Sequence, residues 1–265
     1  LAEAWNLQAG YGGLVSLGTA SFFGTGAYVL TALVNQTGAP WAVGIAAAGA
    51  AAGLLAFIVA PAMFRLRGLY FTVGTLALAE ALRLWMINSS AFGGATGLFL
   101  AGDAPSLRGL YAMALALLAL TTGVMALATR SRYSILLRAV RDDEDAAAQI
   151  GVRAYRIKLI AFAAASALTG MAGALQALKL GAVEPYGTFG VGWTVSVLAV
   201  VVIGGQGQRA AALLGAVFLV ALSEALADYP ALNLAITGVI LIVVIRFAPQ
   251  GLAGLAARLT ARPRR

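Results

Sequence analysis

Long uncharged apolar runs constrain this sequence more than any other feature. No charged residue occurs between Trp41 and Met63, and the stretch from Trp193 to Gln208 is also uncharged. A helix needs about 20 predominantly apolar residues to cross the hydrocarbon core of a bilayer. Charged residues make up 11% of the chain, whereas soluble domains carry roughly 25%. The sequence therefore predicts an all-α, polytopic transmembrane helical bundle with almost no soluble domain.

Apolar segments follow one another along the chain and predict about eight spans. The first is long for one span and rich in glycine and serine, which favours a broken helix or a re-entrant pair. The sixth is short and ends in Gly-Gly-Gln-Gly, so we expect it to be broken or tilted as well. Irregular backbone at membrane depth is tolerated only where protein or a cavity shields it. The segments are Leu7–Val34, Trp41–Met63, Leu69–Ile87, Leu110–Ala128, Ile157–Leu178, Trp193–Gly204, Ala210–Ala227 and Leu232–Ile245.

The Lys and Arg residues are distributed unevenly among the connections. If every segment crosses the membrane once, all of them except Arg83, Arg108 and Lys179 fall on one side, and Arg83 lies inside the third segment. The positive-inside rule places that basic side, with the C-terminus, in the cytoplasm. We therefore interpret the net charge of +8 as a sign of membrane topology rather than of nucleic-acid binding.

The residue types present exclude several classes of chemistry. The chain contains no His and no Cys, which removes Ser-His and zinc-His catalysis, thiolate metal sites and disulfides. The sequence has no Gly-x-x-x-x-Gly-Lys-Ser/Thr loop for binding nucleotide phosphates. No cleavable signal peptide is recognisable. We therefore expect no enzymatic activity, no metal site and no cofactor held by this chain itself.

The connection of residues 130–156 is the one long and densely charged stretch. Acidic residues at Asp142–Asp145 precede good helix formers, and Gly151 follows them, which is the usual order of residue types from the start to the end of a helix. We predict a short helix over Asp143–Ile150. By helical spacing its apolar edge consists of Ala146, Ala147 and Ile150. The pattern fits a solvated connector and a docking element for a cytoplasmic partner equally well.

This acidic stretch resembles the cytoplasmic coupling helix of ABC importer permeases, which carries a Glu-Ala-Ala-x-x-x-Gly pattern. Asp145-Ala146-Ala147 and Gly151 match that pattern, with Asp in the Glu position. The wider string from Arg138 to Val152 is similar to branched-chain amino acid permeases of the LivM type, in the LivH/LivM family. The Ile-x-Leu-Pro tail of some other importers is absent. The resemblance implies that the residues coupling to an ATPase are Arg141, Asp142, Asp143, Glu144, Asp145, Ala146, Ala147 and Gly151.

Further blocks resemble the same family, in the same order along the chain. They are Gly10–Gly18, Phe22–Tyr28, Arg67–Glu80, Ala172–Leu175, Gly204–Gly207 and Phe247–Leu252. Relative to the family, the stretch before Asn6 looks one span short, so we expect a truncated N-terminus. The resemblance implies that residues 1–265 form a single permease domain with a coupling loop at 130–156.

The resemblance also implies a function and a set of partners. The function is that of a permease subunit in an ATP-driven importer of the bacterial inner membrane, for leucine, isoleucine and valine or for related solutes such as urea and short amides. The partners are two cytoplasmic ATPase subunits that hold ATP and Mg, a second LivH-like permease, a periplasmic binding protein and the lipid bilayer, with no nucleic acid. The alternative is a secondary transporter or channel driven by an ion gradient. Such a protein needs no ATPase-docking helix but usually shows several intramembrane acids, of which Glu80 is the clear candidate here and Glu224 lies near an outer end.

Glu80 lies near the middle of the third segment, and Arg83 lies about one turn further outward. Ionisable residues inside a span are costly and usually face the bundle interior or a cavity. The i, i+3 spacing allows the two side chains to pair on one helix face. The pair either lines the translocation pathway or serves as a structural ion pair. Glycine-rich breaks can also present backbone groups to a polar solute. The candidate pathway residues are Ser16, Thr75, Glu80 and Arg83.

Overall fold

A computed structural model of the protein describes residues 1–101, 105–208 and 211–225, together with scattered positions between 236 and 254. These ranges are almost entirely helical. Within them, five helical stretches are long and apolar enough to cross a membrane, one of which consists of two consecutive helices. The all-α, polytopic membrane bundle predicted from the apolar runs is therefore confirmed.

The helices follow the predicted segments, and their ends differ from the predicted ones by a few residues. The second segment is one helix with the predicted bounds, because its apolar run lies between Pro40 and the basic residues that begin at Arg65. The helices are α1 (Ala2–Trp5), α2 (Thr19–Thr37), α3 (Trp41–Met63), α4 (Leu69–Asn88), α5 (Leu107–Arg130), α6 (Arg132–Asp142), α7 (Glu144–Gln149), α8 (Ala154–Leu180), α9 (Pro185–Thr188), α10 (Val191–Gly204) and α11 (Ala211–Ala225).

The first segment is broken, as its glycine content predicts. Helix α1 continues as a π-helix over Asn6–Tyr11, and the chain then runs without helical structure through residues 12–18 before α2 begins. We call residues 12–18 the break. Gly13 has φ +68°, a conformation that residues with a side chain rarely adopt.

The charged connection contains more helix than predicted. Helix α6 was not expected, and it forms because Ser134, Leu137 and Val140 make a buried face at helical spacing. The hydroxyl of Tyr133 donates to the carbonyl of Ile157 at 2.6 Å, which ties α6 to α8. The phenol is a neutral donor at physiological pH, and burial raises the pKa of Tyr133 further, to about 12.

Helix α7 is shorter than the predicted Asp143–Ile150 by one residue at each end. Asp143 precedes the helix as its N-cap, and its Oδ1 accepts a hydrogen bond from the amide of Ala146 at 2.9 Å. The predicted apolar edge is right only for Ala147, which is buried, whereas Ala146 and Ile150 are exposed.

The sixth segment is a helix preceded by a single turn. Helices α9 and α10 form a stretch of 20 residues, and the helix stops at Gly204, before the rest of the Gly-Gly-Gln-Gly sequence. Helix α11 falls in the seventh segment. The eighth segment, Leu232–Ile245, and the block Phe247–Leu252 lie outside the described residues except at scattered positions.

The two ends of the bundle differ in structure. At one end, β1 (Leu98–Phe99) pairs antiparallel with β2 (Ala182–Val183). The side chain of Asn35, near the end of α2, donates to the carbonyl of Phe99 at 2.8 Å and accepts from the amide of Ala101 at 2.7 Å. We call this the strand-pair end. The opposite end carries the α3–α4 connection, α6, α7 and the break, and we call it the basic end.

The core lies where α2, α3 and α8 cross, and small residues allow these helices to approach closely. A Cβ atom on Gly170 of α8 would lie 2.4 Å from the Cβ of Ala52, and one on Gly26 of α2 would lie 2.1 Å from the carbonyl oxygen of Gly170. Phe22 and Phe162 pack edge to face nearby, with ring centroids 5.3 Å apart. The three helices form the scaffold that positions the break and the basic end.

The crossing generates a stability prediction. Gly170→Ala forces a methyl group into the backbone of α3, and overpacking of this kind costs about 1–3 kcal/mol. We expect a lower thermal unfolding midpoint for the purified protein in detergent. Gly123→Ala on α5 is the matched control, because a Cβ atom added there would have no other atom within 4 Å. Equal midpoints for the two variants would contradict the packing described here.

Candidate functional site

The break is held by side chains that replace the missing helical hydrogen bonds. The amide of Leu17 donates to Oγ1 of Thr75 at 3.1 Å, and its carbonyl accepts from the hydroxyl of Thr194 at 3.1 Å. The amide of Gly18 donates to Oγ of Ser16 at 3.1 Å. Helices α4 and α10 therefore both form hydrogen bonds with Leu17 of the break.

Two further side chains bind carbonyl groups of the break. Nε1 of Trp5 in α1 donates to the carbonyl of Ser16 at 2.8 Å, and the hydroxyl of Thr72 in α4 donates to the carbonyl of Val15 at 2.8 Å. Unsatisfied backbone groups away from water cost several kcal/mol each. These hydrogen bonds therefore stabilise a non-helical segment inside a helical bundle.

The structure brings together two of the candidate pathway residues at the break. Ser16 and Thr75 are fully buried, and both hydroxyl groups bind backbone groups of the break. The approach is close, because a Cβ atom on Gly18 would lie 2.4 Å from the carbonyl oxygen of Thr75. In this structure Ser16 and Thr75 position the break.

Glu80 and Arg83 lie further along α4, toward the strand-pair end. Nε of Arg83 donates to Oε2 of Glu80 at 3.0 Å, and a second guanidinium nitrogen contacts Oε1. The ion pair that their spacing allows is therefore present. The guanidinium lies 5.2 Å from the ring centroid of Tyr186 in α9, close enough for a cation–π contact. The Glu80 side chain is 48% exposed, so this pair lies at a surface of the chain.

Helix α7 is too short to be stable alone and depends on contacts with the bundle. Glu144 forms an ion pair with Lys158 of α8, with side chains 33% and 11% exposed. Ala147 is buried, and its carbonyl accepts from the amide of Val152 at 3.1 Å. Gly151 has φ +85°, the left-handed conformation that lets the chain turn after the helix.

The contact of α7 with the α3–α4 connection is weaker. Arg67 and Asp145 lie 3.4 Å apart, but their side chains are 72% and 74% exposed, and such pairs contribute about 0–1 kcal/mol. An open cleft of about 630 Å³ separates the break, the start of α4 and residues 140–145. Asp142, Asp145 and Ala146 are exposed at this end, so α7 presents an acidic and small-residue surface that the bundle does not cover.

Sequence reasoning missed two buried polar residues. Glu3 in α1 accepts a hydrogen bond from the hydroxyl of Thr122 in α5 at 3.0 Å, and Asn6 is fully buried in the π-helix. Both precede Leu7, where the first apolar segment was predicted to begin. The helix starts at Ala2, and an acid and an amide just before an apolar run were the available signal.

Comparison with known proteins places the chain beside transport permeases. Residues 1–245 match the family described as "Branched-chain amino acid transport system / permease component". The chain is 29% identical over 278 residues to the high-affinity branched-chain amino acid transport system permease protein LivM of Escherichia coli (strain K12), and equally to that of Salmonella typhimurium (strain LT2). These alignments cover 93% of the chain, which spans 65% of the length of each relative. No solved structure matches the chain significantly.

The hydrogen bonds that hold the break lead to a prediction about stability. Thr75→Val removes the partner of the Leu17 amide and leaves a buried donor unsatisfied, which costs about 1–3 kcal/mol. We expect a lower thermal unfolding midpoint. Thr31→Val is the control, because Thr31 is equally buried but its hydroxyl donates only within its own helix, to the carbonyl of Ala27 at 3.0 Å. A Thr75→Val midpoint no lower than that of Thr31→Val would refute the role assigned to Thr75.

Proposed function

The chain belongs to the family of branched-chain amino acid transport permeases, and from that membership we propose that it is a permease subunit of an ATP-driven ABC importer. The observation that carries the proposal is α7. This capped helix is anchored to the bundle by Glu144 and Ala147 and leaves Asp145 and Ala146 exposed. Its residues fit the coupling helix that docks onto the ATPase in ABC importers.

The proposed partners follow from this assignment. Two cytoplasmic ATPase subunits bind Mg and hydrolyse ATP, a second LivH-like permease completes the pathway, and a periplasmic binding protein delivers the solute. Leucine, isoleucine and valine are the proposed solutes, because the matched relatives are named for branched-chain amino acids; urea and short amides are the alternative. Arg67, Arg141 and Lys158 line one cleft together with the acidic stretch Asp142–Asp145. Because Lys and Arg set the orientation of membrane proteins and acidic residues contribute little, these residues support a cytoplasmic basic end in the bacterial inner membrane.

Glu80 and Arg83 are the proposed contacts for the solute. Exposing an ion pair to hydrocarbon is expensive, so the face of α4 that carries these residues should meet a second permease or an aqueous pathway rather than lipid. A paired carboxylate and guanidinium also complement the charges of a zwitterionic amino acid. Ser16 and Thr75 act behind this face by holding the break.

The second candidate is a secondary transporter, which is favoured by the buried acid Glu3. In such a protein an intramembrane carboxylate exchanges protons or ions. Here Glu3 is hydrogen-bonded to Thr122 and Glu80 is ion-paired with Arg83. Among the described residues, no group of three or more acids forms a cluster suited to a metal ion. The ATP-driven proposal accounts for α7, which the secondary-transporter proposal leaves without a role.

Assembly with an ATPase tests the proposed function. The chain is coexpressed with the proposed ATPase, permease and binding-protein partners, and uptake of labelled leucine is measured in vesicles. We expect the ATPase to copurify and uptake to stop when ATP is depleted. Ala146→Arg should release the ATPase by blocking the exposed surface of α7. Ala95 is an exposed alanine at the strand-pair end, so Ala95→Arg should leave the ATPase bound. Uptake that survives ATP depletion, with no ATPase bound, would favour the secondary transporter.

Glu80→Gln tests the proposed pathway contact. The change keeps the shape of the side chain but removes the charge that pairs with Arg83. In complexes that retain the ATPase, we expect uptake to fall by about tenfold, which corresponds to about 1.4 kcal/mol. Normal uptake by the assembled Glu80→Gln complex would show that the pair is structural.

A further inference from the structure

Arg141 lies next to the exposed helix α7, and its side chain is 37% exposed, but its guanidinium reaches the backbone of the π-helix. It is in the last turn of α6, and its Nη1 donates to the carbonyl oxygen of Gly10 in the π-helix at 2.9 Å. Its Nε and Nη2 contact Oδ1 of Asp142 at 2.9 and 2.8 Å. The guanidinium is a rigid planar group, so its binding to Asp142 directs the remaining donor toward Gly10.

The carbonyl of Gly10 is available because the π-helix ends at the next residue, Tyr11. The next amides along the chain bind elsewhere: that of Leu14 donates to the carbonyl of Gln8 at 3.0 Å, and that of Val15 donates to the carbonyl of Gly13 at 3.1 Å. Arg141 therefore supplies a bond that the helix cannot make. π-Helical turns are rare and occur frequently at functional sites.

Asn6 binds another connection, the one that follows α10, next to Gly10. Its Oδ1 accepts from the amide of Gly207 at 2.9 Å, and its Nδ2 donates to the carbonyl of Gln208 at 3.0 Å. These residues lie in the connection that follows α10. A Cβ atom on Gly10 would lie 2.1 Å from Oδ1 of Asn6 and 2.7 Å from the amide nitrogen of Gly207, so the π-helix and the connection after α10 are in direct contact.

The stem of Arg141 also packs against the break. A Cβ atom on Gly13 would lie 2.5 Å from Cγ of Arg141. One turn earlier on α6, the guanidinium of Arg138 lies 5.0 Å from the ring centroid of Tyr11. Helix α6 is thus joined to both the end of the π-helix and the start of the break, while the residue after Asp142 is the N-cap of α7.

We propose that Arg141 is a positioning residue that transmits movement of α7 to the break and to the α10–α11 connection through the carbonyl of Gly10. The proposal rests on the proposed function, because the movement originates in the ATPase that binds α7. It assigns Arg141 a role toward the bundle, through its hydrogen bond to Gly10, that differs from the docking role of Asp145 and Ala146 on α7. Loss of Arg141 should leave the ATPase bound but separate ATP hydrolysis from transport.

The first test measures transport per ATP. Complexes carrying Arg141→Ala are reconstituted in vesicles with the ATPase, the second permease and the binding protein. We expect the ATPase to remain bound and to hydrolyse ATP, while leucine taken up per ATP falls by about tenfold, within the usual range of coupling between sites. Arg132→Ala removes the same charge from an exposed position on α6 and should leave that ratio unchanged. An unchanged ratio for Arg141→Ala, or release of the ATPase, would overturn the proposal.

The second test needs no ATPase and so separates this proposal from the proposed function. Hydrogen exchange of the peptide covering residues 11–18 is followed in the permease chain alone. Arg141→Ala should accelerate this exchange by about tenfold, an opening made easier by about 1.4 kcal/mol, and Arg132→Ala should not. If Arg141→Ala does not fold, Arg141→Lys is used, because its ammonium cannot reproduce the planar contact with both Asp142 and Gly10. Exchange equal to that of the unmutated protein would overturn the proposal even if the chain proves to be an ABC permease.

Discussion

The hydrogen bonds that satisfy the backbone of residues 12–18 are the interaction on which the rest of the structure depends. A membrane bundle tolerates non-helical backbone only where protein groups replace water as hydrogen-bonding partners. Here Trp5, Thr72, Thr75 and Thr194 provide those groups from α1, α4 and α10. The break therefore fixes where three helices lie relative to one another. Any rotation of α4 or α10 has to strain or release these bonds.

The bundle contains two regions that differ in how their residues interact. The crossing of α2, α3 and α8 uses glycine and alanine for close contact, and a larger residue at Gly170 has no space. The polar residues gather instead around the break and the basic end, where Arg141 and Asn6 bind backbone groups that helices leave free. A rigid apolar scaffold thus supports a polar junction whose hydrogen bonds can exchange. This division suits the proposed function, in which the subunit alternates access under the control of an ATPase.

Structural features that involve residues close together in the sequence could be predicted, whereas contacts between residues far apart in the sequence could not. The bounds of α3 were predictable because an uncharged run lies between a proline and basic residues. The Glu80–Arg83 pair was predictable because both side chains lie on one helix face. The presence of a break followed from glycine content, but its partners did not. Thr194 is 177 residues from Leu17, and Arg141 is 131 residues from Gly10, so no local pattern joins them. Helix α6 was missed because its charge density obscured the buried face at Leu137 and Val140.

A density map of the protein in a lipid nanodisc, resolved well enough to place side chains, most directly tests whether the break is held as described. We predict that the chain leaves the helix after Tyr11 and re-enters it at Thr19. We also expect the hydroxyl groups of Thr75 and Thr194 to lie within hydrogen-bonding distance of Leu17. A continuous helix through residues 12–18, or threonine side chains turned away from Leu17, would contradict this arrangement.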